Sequence, residues 1–198
     1  MPNANWRSVE VRMKQALLAL LLCGSVRAEP APDMTAYGFT FGQPVPLPEC
    51  AKDQYGYLAT VKQPCFRRLE TMANGGSMKF PVGEGPRHGS ASFRVDANGA
   101  LELLIVGTVG VHAQNLVFDD LLAKYGKPAS NKTESVGNAM GAKFEAIRAI
   151  WLFDNLEVHF SGIENRIDHG LLLIGNPAAI RAHYELLKRL TGGERRPL

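Results

Sequence analysis

The chain has 198 residues, 45% of them hydrophobic and 21% charged, with 22 Lys+Arg against 19 Asp+Glu. That composition excludes a disordered polyelectrolyte, and the length suits one domain with its own core or two very small subdomains. The basic excess lies in the first 28 residues, so it is no sign of a nucleic-acid partner.

Arg7, Arg12 and Lys14 precede an unbroken apolar run from Ala16 to Leu22, and Ser25-Val26-Arg27-Ala28 follows. A charged n-region, a short apolar stretch and small residues at the cleavage positions predict a secretory signal peptide over residues 1–28, cut near Ala28. A plain N-terminal amphipathic helix is the alternative. The run is too short to span a bilayer, which takes about 20 apolar residues, and nothing beyond Ala28 is long and apolar enough to do so. Met13 offers a second, more compact start. Cys23 follows Leu20-Leu21-Leu22 rather than a small residue, so cleavage without lipidation is expected. The leader carries away Arg7, Arg12, Lys14 and Arg27 against Glu10 alone, taking 22 basic and 19 acidic residues to 18 of each. A neutral mature chain has no field to draw polyanions, and Glu194-Arg195-Arg196 reads as a solvated terminus. The expected location is periplasmic or secreted.

Residues 29–36 are Pro-rich and read as a tether, and 37–198 as a single α+β domain. Within it, 37–89 is a loop-rich segment and 90–198 holds the sheet and two helices. Tyr37–Gly42 has the alternation of a short strand, and Pro44, Pro46 and Pro48 force an extended path. Cys50 and Cys65 follow; in an oxidising compartment such a pair predicts a disulfide. A reactive thiol or a metal pair is the other reading, without a Cys-x-x-Cys or a neighbouring histidine in its favour. Tyr55–Val61 reads as a strand inside the disulfide loop. Asn74–Gly89, with five glycines and two prolines, reads as loop.

Ala91, Phe93 and Val95 alternate with polar residues, Asp96-Ala97-Asn98-Gly99 turns, and Leu101–Val106 continues as an apolar strand, a β-hairpin. Asn115 is placed to cap a helix whose stripe is Leu116, Val117, Phe118, Leu121, Leu122 and Tyr125. Gly126 suits its C-terminus and Pro128 forbids continuation. Ser130–Gly141 reads as a polar loop. Phe144–Phe153 is a strand, with Ala149, Trp151 and Phe153 on one face. Asp154-Asn155 fits a two-residue turn, since both tolerate positive φ. Leu156, Val158 and Phe160 alternate against Glu157, His159 and Ser161, Gly162 ends that strand, and Leu171–Ile174 supplies another. Asn176 as N-cap and Pro177 at N1 open a last helix with a stripe at Ile180, Tyr184, Leu187 and Leu190. A mostly meandering antiparallel sheet with helices packed on one face is the expected architecture.

The five histidines, His88, His112, His159, His169 and His183, include no pair at metal-ligand spacing. His159, with Glu157 beside it, is placed to meet His169 or Asp168 across a hairpin; a solvent-facing sheet surface is the plainer expectation. Gly83–Gly89, which includes Arg87 and His88, lacks the strand–loop–helix setting of a phosphate cradle. Ser161 stands in no nucleophile elbow. Asp119 and Asp120 point about 100° apart on a helix and share no face. Asn131-Lys132-Thr133 is a glycosylation sequon only in a eukaryotic secretory path. No catalytic, metal or cofactor residues are therefore assigned. Trp151 reads as core, or, on an exposed face, as an interface anchor. Trp151, Glu157, His159, Arg87 and His88 make up the candidate interface.

The helix ending in Tyr125-Gly126-Lys127-Pro128, then Ile150-Trp151-Leu152-Phe153, a turn and Leu156–Phe160, resembles small exported α+β modules. These are the β-lactamase inhibitor proteins and lipoprotein E of the outer-membrane barrel assembly machinery. In them a helix ending in Gly-x-Pro precedes a sheet that often carries a Trp on its first strand. The resemblance covers residues 114–175, and the chain departs from the lipoprotein in lacking a lipobox and in its flanking segments. It implies a module that binds other proteins with a sheet face, and it carries over no catalytic residues. The expected function is a non-catalytic binding protein: an inhibitor, an immunity-type protector or an envelope assembly factor. Its partner would be another envelope or secreted protein. A small exported hydrolase around His159 is the alternative.

Overall fold

The computed structural model describes residues 34–58, 60–69, 74–81, 89–137 and 141–190, all in the unit Pro32–Leu198. The expected signal peptide, most of the tether, and Arg87 and His88 lie outside the described residues. In chain order the elements are β1 (Thr35–Ala36), β2 (Phe39–Thr40), β3 (Lys52–Asp53), β4 (Gly56–Tyr57), β5 (Cys65–Arg68) and β6 (Gly75–Lys79). They continue with β7 (Gly89–Val95), β8 (Leu101–Thr108), a short 3-10 turn (Gly110–His112) and α1 (Gln114–Tyr125). The last are β9 (Ser130–Gly137), β10 (Lys143–Leu152), β11 (Glu157–Arg166), β12 (His169–Gly175) and α2 (Pro177–Leu190).

Eight strands form one antiparallel sheet in the order β5-β6-β7-β8-β12-β11-β10-β9, while β1–β2 and β3–β4 are separate two-stranded ribbons. The α+β class with a large antiparallel sheet holds. The path is not a simple meander. After β8 the chain crosses through α1 to the far edge, then returns strand by strand until β12 pairs with β8.

The two helices lie on opposite faces, not one. Leu104, Val106, Val158, Phe160, Leu172 and Ile174 pack in one cluster with Val117, Leu121 and Tyr125 of α1 and with Ala36, Phe39 and Phe41 of the N-terminal segment. Leu103 and Leu173, each adjacent in sequence to a member of the first cluster, pack instead with Ala179 and Ile180 of α2. Successive strand residues point to opposite faces, so β8 and β12 are covered on both sides. Their runs Leu101–Val106 and Leu171–Ile174 are apolar without alternation for that reason.

α1 begins at Gln114 with Ala113 as its N-cap residue and no side-chain cap; Asn115 lies inside it. Gln114 is instead the anchor: its Nε2 donates to the Glu145 carbonyl (2.8 Å) and its Oε1 accepts from the Ile147 N–H (3.1 Å), tying the helix start to β10. Gly126 closes the helix at φ 71°, its N–H bonded to the Leu122 carbonyl. Leu116 and Leu190, placed in the apolar stripes by spacing, are exposed. α2 opens as the Asn-Pro signal predicts: Asn176 Oδ1 accepts from the Ala179 N–H at 2.7 Å.

Several segments differ from their expected form. Ser130–Gly137 is strand β9, paired with β10 over its whole length; polar on both faces, an edge strand carries no alternation to read. Gly75–Lys79 is strand β6 inside the expected loop, and Cys65–Arg68 is strand β5. Tyr37 and Gly38, both at positive φ, turn between β1 and β2, so Tyr37–Gly42 is no single strand, and among the described residues of Tyr55–Val61 strand is confined to Gly56–Tyr57. Gly162 does not end β11, which runs on to Arg166. Asp154 and Asn155 turn without positive φ, the Phe153 N–H bonding the Leu156 carbonyl at 2.9 Å.

Gly162 is where it is because of Gln114: a Cβ there would overlap the Gln114 side chain. Gly162→Ala is expected to lose about 1–3 kcal/mol through overpacking, read as a lower denaturant midpoint at unchanged slope. The combined Gly162→Ala, Gln114→Ala protein should recover the steric part of that loss but not the two backbone bonds.

Candidate functional site

Two places concentrate chemistry. The first is a polar cluster on the α2 side of β10–β12. His159 lies between Glu157 and α2, its Nε2 3.0 Å from Glu157 Oε2 and its Nδ1 3.2 Å from the Tyr184 hydroxyl. With the carboxylate accepting from Nε2–H, Nδ1 is the acceptor for the phenol, an assignment made from the bonding pattern. Burial lowers the His159 pKa and the Glu157 carboxylate partly offsets this. Burial also raises the Tyr184 phenol far above its ordinary range, with Glu164 adding to the effect. Both partners are therefore neutral at neutral pH, and both ring nitrogens are engaged.

Beside it, Ser161 is 1% exposed. Its hydroxyl lies 2.8 Å from Glu164 Oε2 and 3.0 Å from the Ile163 carbonyl and accepts from Arg148. Arg148 also joins Glu134 at 3.2 Å and Glu164 at 3.1 Å. This is a satisfied network that ties β9, β10 and β11 together, with the Ser161 hydroxyl proton and one of its lone pairs engaged inside it. The expected meeting of His159 with His169 or Asp168 does not occur. His159 pairs in register with Leu173, whereas His169 pairs with Arg166 near the hairpin tip, and Asp168 is held by Arg166 at 2.6 Å. Among the described residues no three His, Cys, Asp or Glu side chains gather as metal ligands.

The second place is an open, mainly apolar cleft of about 530 Å³ at the β5–β7 end of the sheet, walled by Pro44, Val45, Phe66, Leu69, Phe93 and Val95. Its walls are fixed from several directions. The Phe66 and Phe93 rings meet edge to face at 5.4 Å, a favoured aromatic geometry. The Pro-rich segment is extended as expected, and it is stitched down: Pro44 bridges Ala100 and Glu49 bridges Phe66. The Phe66 N–H donates to the Pro48 carbonyl (3.0 Å), and the Cys50 N–H to the Phe66 carbonyl (2.8 Å). The Cys50–Cys65 disulfide is formed, with Cα atoms 5.0 Å apart. Glu49 gathers Lys52 (2.7 Å), Tyr57 (2.5 Å) and Arg68 (3.1 Å). The Lys52 ammonium, then Tyr57 and Arg68, hold its carboxyl down to about 2. Arg68, at the cleft rim, is thus already compensated.

None of the cleft residues belongs to the candidate interface read from sequence. Val45 and Phe66 are masked there by prolines and by shortness; the alternation of Pro with Val45 and Leu47, and of Cys65 with Phe66, is the signal that marks them. Trp151 is 1% exposed. Its indole N–H donates to the Gly126 carbonyl at 2.7 Å and its ring packs against Phe118 and Tyr125. It is core, with no surface to offer as an interface anchor. It also sits on the second strand after α1, since β9 intervenes, whereas the resembling modules often carry a Trp on the first.

Comparison of the chain with protein-family models, with curated proteins and with solved structures finds no match.

Proposed function

We propose that the mature chain is an exported binding protein that seats an apolar side chain of a partner protein in the cleft between Pro44–Val45 and Phe66–Phe93. The observation that carries this reading is the cleft itself: apolar, open, and in the size range of recognition pockets. Its walls are held by a disulfide, two backbone bonds and two strand bridges. A wall ordered before binding loses little entropy on association, which is what lets a small pocket act as a hot spot. Export is supported by the leader and by a cysteine pair that needs an oxidising compartment. The resemblance of residues 114–175 to exported inhibitory and assembly modules favours a protein partner. No helix among the described residues is long and apolar enough to cross a membrane. A hydrolase around His159 gains no support from a ring whose two nitrogens are both taken.

The test is a photo-crosslinking residue placed at Val45 in the protein expressed from its own gene. It should give one adduct of defined mass, while the same residue at the exposed Arg189 of α2 gives none. Phe66→Lys should cut adduct formation more than tenfold, the scale of losing a hot-spot contact of about 2 kcal/mol, with the melting temperature recorded alongside. Adducts equally strong at Arg189, or none at Val45 from a folded, exported protein, would refute the cleft as the recognition surface.

A further inference from the structure

The free edge of β9 carries a self-complementary pattern. Among the described residues β9 ends the sheet and pairs with β10 alone, and most of its residues are exposed. Lys132 pairs in register with Arg148 and Glu134 with Ala146, so both side chains point to the α2 face; Asn131, Thr133 and Ser135 point to the other. An edge of this kind is a template for another strand unless charge or shape forbids it.

We infer that this edge joins a second copy of the chain, β9 to β9 about a two-fold axis at Thr133, making one continuous sheet across the dimer. In that register Lys132 of each copy stands directly opposite Glu134 of the other, giving two cross-strand ion pairs on one face. On the other face Thr133 meets Thr133, and Asn131 meets Ser135, small polar pairs with no charge conflict. Sliding one strand by two residues in either direction sets Lys132 against Lys132 or Glu134 against Glu134, and like charges directly opposite are destabilising. The charges that ward off a random strand therefore select one register and one partner. A two-fold contact must be self-complementary, and the sequence Lys132-Thr133-Glu134 is so about its middle residue. The Arg148–Glu134 contact, 3.2 Å, holds the glutamate in place before pairing. The apolar cleft lies at the β5–β7 end of the sheet, away from β9, so the dimer presents two clefts. The pairing does not depend on what the clefts bind.

Sedimentation of the purified protein over a concentration series tests this. The unaltered protein should pass from monomer to dimer as concentration rises. Lys132→Glu alone and Glu134→Lys alone should each weaken self-association by about tenfold or more, because like charges then face each other at both crossings. An equimolar mixture of those two variants should form a heterodimer with nearly the original affinity, since glutamates of one chain then face lysines of the other at both crossings. Circular dichroism of each variant confirms its fold, and the mixture carries the decision even where Glu134→Lys disturbs Arg148. A protein that stays monomeric throughout, single variants that associate as before, or a mixture that stays monomeric would each overturn the inference.

Discussion

Trp151→Ala is expected to remove about 3–5 kcal/mol of stability, the range for emptying a large aromatic site in a packed core. That is about a fifth or more of the total for a typical domain. Trp151 touches the two elements that the chain must bring together. Its strand, β10, pairs with both β9 and β11, and its ring meets Phe118 and Tyr125 from α1 at 6.1 and 6.5 Å between centroids. The indole N–H also satisfies the Gly126 carbonyl at the end of α1, one of the carbonyls a helix terminus leaves without an intrahelical partner. Trp151→Phe separates the parts. It keeps most of the apolar volume and loses the hydrogen bond, so it should fall about 1–3 kcal/mol below the unaltered protein, between it and the alanine variant. Urea unfolding with an unchanged slope is the measurement. A loss below about 1 kcal/mol for the alanine variant would mean that the α1 face is not organised around this ring.

The same ring shows how far the sequence carries the fold. Alternation around Ala149, Trp151, Val158 and Phe160 marks two strands with one buried face, and all four residues are buried together. Asn176-Pro177 and Gly126 mark helix ends by chemistry that works locally, and both hold. What escapes is whatever depends on a partner far along the chain. β9 is polar on both faces because it is an edge, so only its pairing with β10 makes it a strand. β6 begins with Gly75-Gly76, and at Gly76 a Cβ would come within 2.8 Å of the Phe66 side chain; close packing, not looseness, accounts for that glycine. Gly162 is likewise small to admit Gln114, which lies far from it in sequence. The opposite placement of the helices is legible in the two runs that do not alternate, Leu101–Val106 and Leu171–Ile174, once strands covered on both faces are considered. The cleft is legible least of all, since its walls come from a Pro-rich stretch, a four-residue strand and a hairpin.

Those walls are where removing the disulfide should be felt. Cys50 and Cys65 are both 4% exposed, so Cys50→Ala with Cys65→Ala avoids burying new hydroxyls. With a sequence separation of 15, the bridge constrains the unfolded chain by about 3 kcal/mol in the loop-entropy account. The expected loss is of that size, with a local consequence beyond it. The Phe66 N–H and carbonyl bond Pro48 and Cys50 on the strand that the disulfide clamps, and Phe66 is a wall of the cleft. Amide exchange at Phe66 and Cys50 should therefore accelerate under native conditions, while amides in β10–β12, held by their own ladder, keep theirs. Partner crosslinking from Val45 should fall in step with the Phe66 amide, because a wall that must be ordered on binding weakens the complex by that ordering cost. If the two-alanine protein loses its stability evenly, with Phe66 and β10–β12 exchanging together, the disulfide supports the whole domain and not the cleft. If crosslinking then persists at full strength, the preformed wall is not what the partner recognises.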